Sequence, residues 1–171
     1  MNTAIKLTII GLLSLYSLPS FANQEHLNPA IYPYGKPTLQ CVHQAANHYN
    51  ITLPVMLAVQ SIERGKTNQL VQNQNGSYDI GAFQINSIHL ERIKQLGGSQ
   101  NDLANRGCYN AVIAALFLFE AINHPKKQHL DFYSRAAGYH SWTPKFNQIY
   151  RAKLIDYTKQ WERWLAQNYR H

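Results

Sequence analysis

The run from Gly107 to Asn123, GCYNAVIAALFLFEAIN, sets the strongest limit on how this chain folds. Its apolar side chains go almost all the way round a helical period, and a helix of that kind is stable in water only at the centre of a packed core. Other elements must cover it, and the sequence supplies them. Pro37 to Asn50 places Leu39, Val42, Ala45, Ala46 and Tyr49 on one stripe. Pro54 to Arg64 opens with a proline suited to a first helical position and stops at Gly65. Ser87 to Leu96 reads as a helix closed by Gly97-Gly98, Asp131 to His140 as a short one, and Pro144 to Tyr169 as a long amphipathic one. In that last helix Phe146, Ile149, Tyr150, Leu154, Tyr157, Trp161, Trp164 and Leu165 recur at helical spacing, which assigns Trp161 and Trp164 to the core. No segment alternates for the length of an ordinary strand, so a sheet is limited to a small hairpin near Gln72 to Ile80. The expected class is all-α, or α with a minimal β-hairpin: six or seven helices bundled around a buried central one.

The first 22 residues stand apart from that plan. One positive charge in Met1 to Lys6, an apolar run from Leu7 to Leu18, and the small residues of Ser20-Phe21-Ala22 form the pattern of a secretory signal cleaved after Ala22. The alternative is a single membrane anchor, but the run is short for a bilayer and no basic stop-transfer flank follows. No cysteine follows it, which argues against a lipoprotein. Cleavage would leave residues 23–171 as a single domain with enough chain to bury a core. Export would take Cys41 and Cys108 into an oxidising compartment, where an even pair without CxxC spacing reads as a disulfide. Without Lys6 the chain keeps 15 of its 16 Lys plus Arg against 9 Asp plus Glu, a formal +6. Such a balance favours an anionic partner. Nucleic acid is one, yet the basic residues do not line one helix face with interleaved aromatics as single-strand binding requires.

One stretch has neither a helical nor a strand period: Asn75 to Asn86, NGSYDIGAFQIN. Asn75-Gly76 is a strong hairpin turn by itself, and the plainest reading is that the segment only reverses the chain. It also offers Asn75, Ser77, Gln84 and Asn86 as neutral hydrogen-bonding groups, with Tyr78 and Phe83 as flat faces. Neutral donors and acceptors beside aromatic faces match a sugar ring and its N-acetyl group. No GxxxxGK[ST] loop is present for phosphate. The histidines lack the spacing of an HExxH or HxxxH metal site, so neither metal nor cofactor is expected.

The reactive group to accompany that stretch is Glu63, near the end of the Pro54 to Arg64 helix on the stripe of Met56, Val59 and Ile62. As a solvated last-turn acid it would mean little. A carboxylate there, however, meets the negative end of the helix dipole at a cost of roughly 0.3–1 kcal/mol. In partly apolar surroundings its pKa rises, which suits a general acid working near neutrality. Asp79 is assigned a structural role, capping the turn before Ile80 and Gly81. Were it to face Glu63 instead, two-carboxylate hydrolysis would come into play.

Together SIERG, NGSYDIGAFQIN and AAGYHSWTP resemble the lytic transglycosylase domain of the soluble type, above all its small exported members that accompany conjugation, type IV secretion or pilus machines. The resemblance spans about Leu39 to Tyr157. In that family a Glu ends a helix, a Gly-x-Met-Gln-Ile-Asn segment follows, and an Ala-Tyr-Asn or Tyr-His-Ser segment closes the groove. Here these fall on Glu63, on Gly81 to Asn86, and on Tyr139-His140-Ser141. The resemblance implies a lysozyme-like bundle and a periplasmic enzyme that cleaves the β-1,4 bond between N-acetylmuramic acid and N-acetylglucosamine in peptidoglycan, leaving 1,6-anhydro ends. Glu63 would be the catalytic acid and base. Gln84 and Tyr139 would orient the N-acetyl group, and Ser77, Tyr78, Phe83, Asn86 and His140 would line the groove, with Trp142 at its rim. Two departures stand out: Arg64 where Ser is usual, expected to point away from Glu63, and Phe83 where Met is usual. The alternatives are a hydrolytic muramidase, for which glycosidases ordinarily need two carboxylates about 5–5.5 or 6.5–9.5 Å apart, and a wall-binding assembly subunit without turnover.

Overall fold

The computed structural model describes residues 25–168; the expected signal segment, residues 1–22, lies outside the described residues. Seven α-helices and a small sheet follow two 3₁₀ turns at Glu25–Leu27 and Pro29–Ile31. The helices are α1 (Leu39–His48), α2 (Leu53–Glu63), α3 (Leu90–Gln95), α4 (Gln100–Asn105), α5 (Gly107–Ile122), α6 (Phe132–Ala136) and α7 (Pro144–Asn168). The strands β1 (Leu70–Gln72), β2 (Tyr78–Ile80) and β3 (Ile85–Asn86) form an antiparallel sheet in the order β1-β2-β3. This is the expected mostly helical architecture with a minimal sheet.

Helix α5 is the central element. From Gly107 through Ala115 every residue is buried, and Tyr109, Ala111, Ile113, Ala115 and Leu118 are wholly inaccessible. Helix α1 packs on one side of it, starting at an N-cap Thr38 whose hydroxyl accepts the Cys41 N–H at 3.2 Å. Helix α2 carries Met56, Ala58 and Val59 into the same core at full burial and lies along α7, its most extensive partner. The Cys41–Cys108 disulfide joins the first turn of α1 to the first turn of α5 across 67 residues. Among the described residues no helix is long and apolar enough to cross a membrane.

Several expectations are corrected. The hairpin is a three-stranded sheet, because the chain folds back again after Ile80 and pairs Asp79 with Asn86 and Ile80 with Ile85. Gln100–Asn105, where no period predicts a helix, forms a six-residue one capped by Ser99. Asp131 to His140 is not one helix: α6 gives way at Ala137–Tyr139 to a 3₁₀ turn. Trp164 is not in the core but 44 % exposed, on the part of α7 that extends along the surface. Trp161 packs partly buried against the core and donates its indole N–H to Ser61 Oγ at 2.9 Å.

A cross-link closing a loop of this length stabilises chiefly by restricting the unfolded chain, by about 2–4 kcal/mol. Cys41→Ala combined with Cys108→Ala should lower Tm by roughly 5–15 °C while leaving the helical circular dichroism of the folded chain intact. An unchanged Tm would show that the bond contributes no net stability.

Candidate active site

Helix α2 ends where it does because Arg64 adopts the left-handed region, with φ 54°, and its N–H closes on Gln60 O at 3.0 Å. The next residue has to be glycine: a Cβ on Gly65 would lie 2.1 Å from Gly81 O and 2.6 Å from Gln84 Nε2. The end of α2 therefore abuts the Gly81–Gln84 turn backbone to backbone. Arg64 is exposed and makes no ion pair with Glu63 among the described residues.

The turn is held from below by a side chain the sequence reading passed over. Asn110, fully buried in α5, accepts the Phe83 N–H at 2.8 Å and donates to Ile80 O at 3.0 Å and Leu103 O at 3.1 Å. Gly81, at φ 73°, leaves the room this requires, since a Cβ there would come 2.6 Å from the Asn110 amide nitrogen. From the other side Tyr139 donates its hydroxyl to Phe83 O at 2.8 Å. Gln84, also at positive φ, donates its side-chain amide to Gly81 O at 2.8 Å. The one readable trace of Asn110 is a lone amide inside an otherwise apolar helix, which has to find buried partners.

Glu63 opens into a cleft of about 180 Å³ lined by Ile62, His140, Phe146, Ile149, Tyr150 and Lys153. Its Oε1 accepts the Tyr150 hydroxyl at 2.7 Å, a contact between residues 87 positions apart. Tyr150 is itself stacked on His140, ring centroids 4.9 Å apart and 8° from parallel. Burial pushes the Glu63 carboxyl from 4.5 up to about 7; the Tyr150 hydrogen bond opposes the rise, the negative charge of Asp79 adds to it, and Lys153 opposes it. Burial likewise moves His140 below its usual range, with Asp79 opposing that shift and Lys153 adding to it. At neutral pH this is a carboxyl poised between its two protonation states, next to a largely neutral imidazole.

The other residues expected to meet a ligand divide into groups. Glu63 and His140 share the cleft, and Gln84, which is not among its lining residues, lies against Gly65. Phe83, expected as a flat sugar-facing ring, is completely buried, because the turn points it into the core. Tyr139 has its donor committed to the turn, so it supports the loop rather than offering a hydrogen to an N-acetyl group. Tyr78 donates to Gln100 Oε1 at 2.7 Å and ties the sheet to α4. Ser77, in the turn between β1 and β2, accepts from Asn73 and Asn86. Asn86 donates to Asp79 Oδ1 at 2.7 Å and accepts the Ile88 N–H at 3.0 Å. Asp79 does not cap the turn through backbone N–H groups; it takes the cross-strand Asn86 amide, and its charge reaches Glu63. Trp142 packs over Gly138, with the Lys127 ammonium above its ring at 5.3 Å. Tyr150, Lys153, Phe146 and Ile149 escaped the sequence reading as site residues because an amphipathic stripe does not tell core from cleft.

A carboxyl whose folded pKa lies above its unfolded one contributes stability that is complete below the unfolded value and lost as pH rises through the folded one. For Glu63 that window runs from 4.5 to about 7. Glu63→Gln lacks the penalty of a buried charge, so between pH 4 and pH 8 it should gain on wild type by on the order of 2–3 kcal/mol in denaturant unfolding. Parallel pH dependences for the two proteins would mean that the carboxyl is well solvated.

No family model matches the chain. It is similar to Invasion protein IagB of Salmonella typhimurium, 28% identical over 133 residues that make up 76% of this chain and 75% of that protein. It is also similar to Protein IpgF of Shigella flexneri, 35% identical over 81 residues, 47% of this chain and 53% of that one.

Proposed function

We propose that this chain is a peptidoglycan lytic transglycosylase, with Glu63 as its single acid and base. The observation that carries the reading is the Glu63 carboxyl: partly buried at the end of α2, brought to about 7, and open to a cleft that no other carboxylate among the described residues lines. Residues 1–22 would direct export, residues 23–171 would form the one catalytic domain, and the periplasm would be its workplace. The word invasion in the name of its Salmonella relative supports placing it beside a secretion or related surface machine, opening the wall locally.

In this mechanism protonated Glu63 donates to the oxygen of the β-1,4 bond between N-acetylmuramic acid and N-acetylglucosamine. As that bond breaks, the carbonyl oxygen of the muramyl N-acetyl group attacks C1 and forms an oxazolinium ion, the role a second carboxylate fills elsewhere. Glu63, now ionised, takes the proton of the muramyl 6-hydroxyl, whose oxygen displaces the oxazoline oxygen from C1 and closes the 1,6-anhydro ring. Glu63 ends protonated and no water is consumed. Tyr150 holds the carboxyl in position and stabilises its ionised form, while burial keeps the protonated form populated near neutrality. Gln84, whose amide nitrogen already donates to Gly81 O at 2.8 Å, would offer its side-chain carbonyl oxygen to the N–H of the N-acetyl group.

Asp79 favours a second reading. Its charge reaches Glu63, Tyr139 and His140 alike, and were its oxygen released by Asn86 to hold a water against C1, the chain would be a hydrolytic muramidase.

Digestion of purified sacculi separates the two by product mass. Transglycosylation gives fragments lighter by one water than hydrolysis does, and Glu63→Gln should abolish them; hydrolysed ends would favour the muramidase, and intact sacculi that still bind the protein would favour a non-catalytic wall subunit. The rate should fall as pH rises through about 7, where Glu63 loses its proton. Tyr150→Phe removes the bond that favours the ionised form, so that limb should move to higher pH together with a lower kcat. A limb left in place would detach it from the Glu63–Tyr150 pair.

A further inference from the structure

A second hollow lies in the seam between α2 and α7, about 260 Å³ in volume and lined by Ser61, Tyr157, Gln160, Trp161 and Trp164. The two indoles meet edge to face, centroids 5.5 Å apart at 78°, and so form a corner. Trp161 is fixed in place by its N–H bond to Ser61 Oγ at 2.9 Å, whereas Trp164 is 44 % exposed. Gln160 adds an amide, its nitrogen donating to Asp156 at 2.8 Å. Among the described residues no Lys, Arg, Asp or Glu side chain lines the hollow.

Its position relative to Glu63 gives it meaning. Phe146, Ile149 and Lys153 line the Glu63 cleft, and Tyr157, Gln160 and Trp164 line the hollow. Successive members of that series are three or four residues apart, so all six follow one face of α7. On α2 the division falls between neighbours: Ser61 lines the hollow, Ile62 and Glu63 the cleft. From Tyr150 to Trp164 the helix advances about 21 Å at 1.5 Å per residue. A linear polymer lying in the cleft and leaving it along α7 would run over the indole corner.

We propose that Tyr157, Trp161 and Trp164, with Ser61 and Gln160 at their edge, form a distal saccharide subsite that grips an N-acetylated glycan strand away from the bond being cleaved. The proposal rests on the glycan reading of the Glu63 cleft and deepens it. Ring faces accept the C–H face of a sugar, and the uncharged Gln160 amide suits its hydroxyls and N-acetyl groups; the Ser61 hydroxyl donates to Leu57 O at 2.8 Å and accepts the Trp161 N–H, and so fixes the corner. Five lining residues fall far short of the roughly 20–30 a side of a stable protein interface, but they suffice for the stacking of a sugar ring. The subsite makes the protein prefer long strands over short fragments.

The test measures binding and turnover separately. In the Glu63→Gln chain, a long β-1,4 N-acetylglucosamine oligomer should perturb the Trp161 and Trp164 indole N–H signals in NMR, and its disaccharide should leave Trp164 unmoved. Adding Trp164→Ala should weaken the long oligomer roughly three- to tenfold, and Trp164→Phe, which keeps a ring, should restore most of it. In the active chain Trp164→Ala should raise KM on sacculi by a similar factor, leaving kcat and the cleavage of short muropeptides unchanged. Equal affinity and equal KM in a chain that cleaves sacculi would overturn the subsite and leave the cleft reading standing. A wild-type chain that neither binds nor cleaves glycan would overturn both. Equal losses on short and long substrates, or self-association abolished by Trp164→Ala and indifferent to glycan, would also overturn it.

Discussion

The buried amide of Asn110 is the constraint on which the site depends. Three hydrogen bonds from one side chain in α5 fix the backbone of the Ile80–Phe83 turn and the end of α4. That turn in turn sets where α2 stops, because Gly65 packs against Gly81 O with no room for a side chain. A buried polar group is costly unless all its partners are in place. The turn therefore has one well-defined position, and Glu63 inherits its precision from a residue that never approaches the cleft.

What happens at Glu63 is a competition of four influences. Burial is the strongest and favours the neutral acid, and Asp79 supports it. The Tyr150 hydroxyl and Lys153 favour the anion. The balance falls near neutrality, where one group can both give and take a proton with little bias. Without Tyr150 less of the carboxyl would be ionised near neutrality, and with full solvation less of it would be protonated. Arg64, adjacent in sequence, has no part in this, because the left-handed turn at its own position carries it into solvent.

The plan of the fold was legible wherever a period ran long enough. The apolar circumference of Gly107–Ile122, the proline start and glycine stop of α2, and the stripe of α7 all gave the right element. Of the short pieces, α3 was marked by its Gly97-Gly98 stop, whereas α4, also six residues, has no such stop, and β3 has two residues that become a strand only by pairing with β2. The stripe of α7 also misled at Trp164, since periodicity shows which side chains share a face and not how far along that face the core extends.

The sequence by itself determined that a carboxyl would sit at the end of a short helix near an amide-rich turn, because helix stops and turn residues are local. Only the tertiary structure decided what surrounds that carboxyl. Phe83 looked like a ligand-facing ring and went into the core; Tyr139 looked like a donor for substrate and donates to the turn; Tyr150 is core, as its stripe implied, and its hydroxyl also reaches Glu63. Each outcome depends on contacts across tens of residues, where burial and hydrogen bonding follow from the packing of α2, α5 and α7 together, and no local pattern encodes that packing.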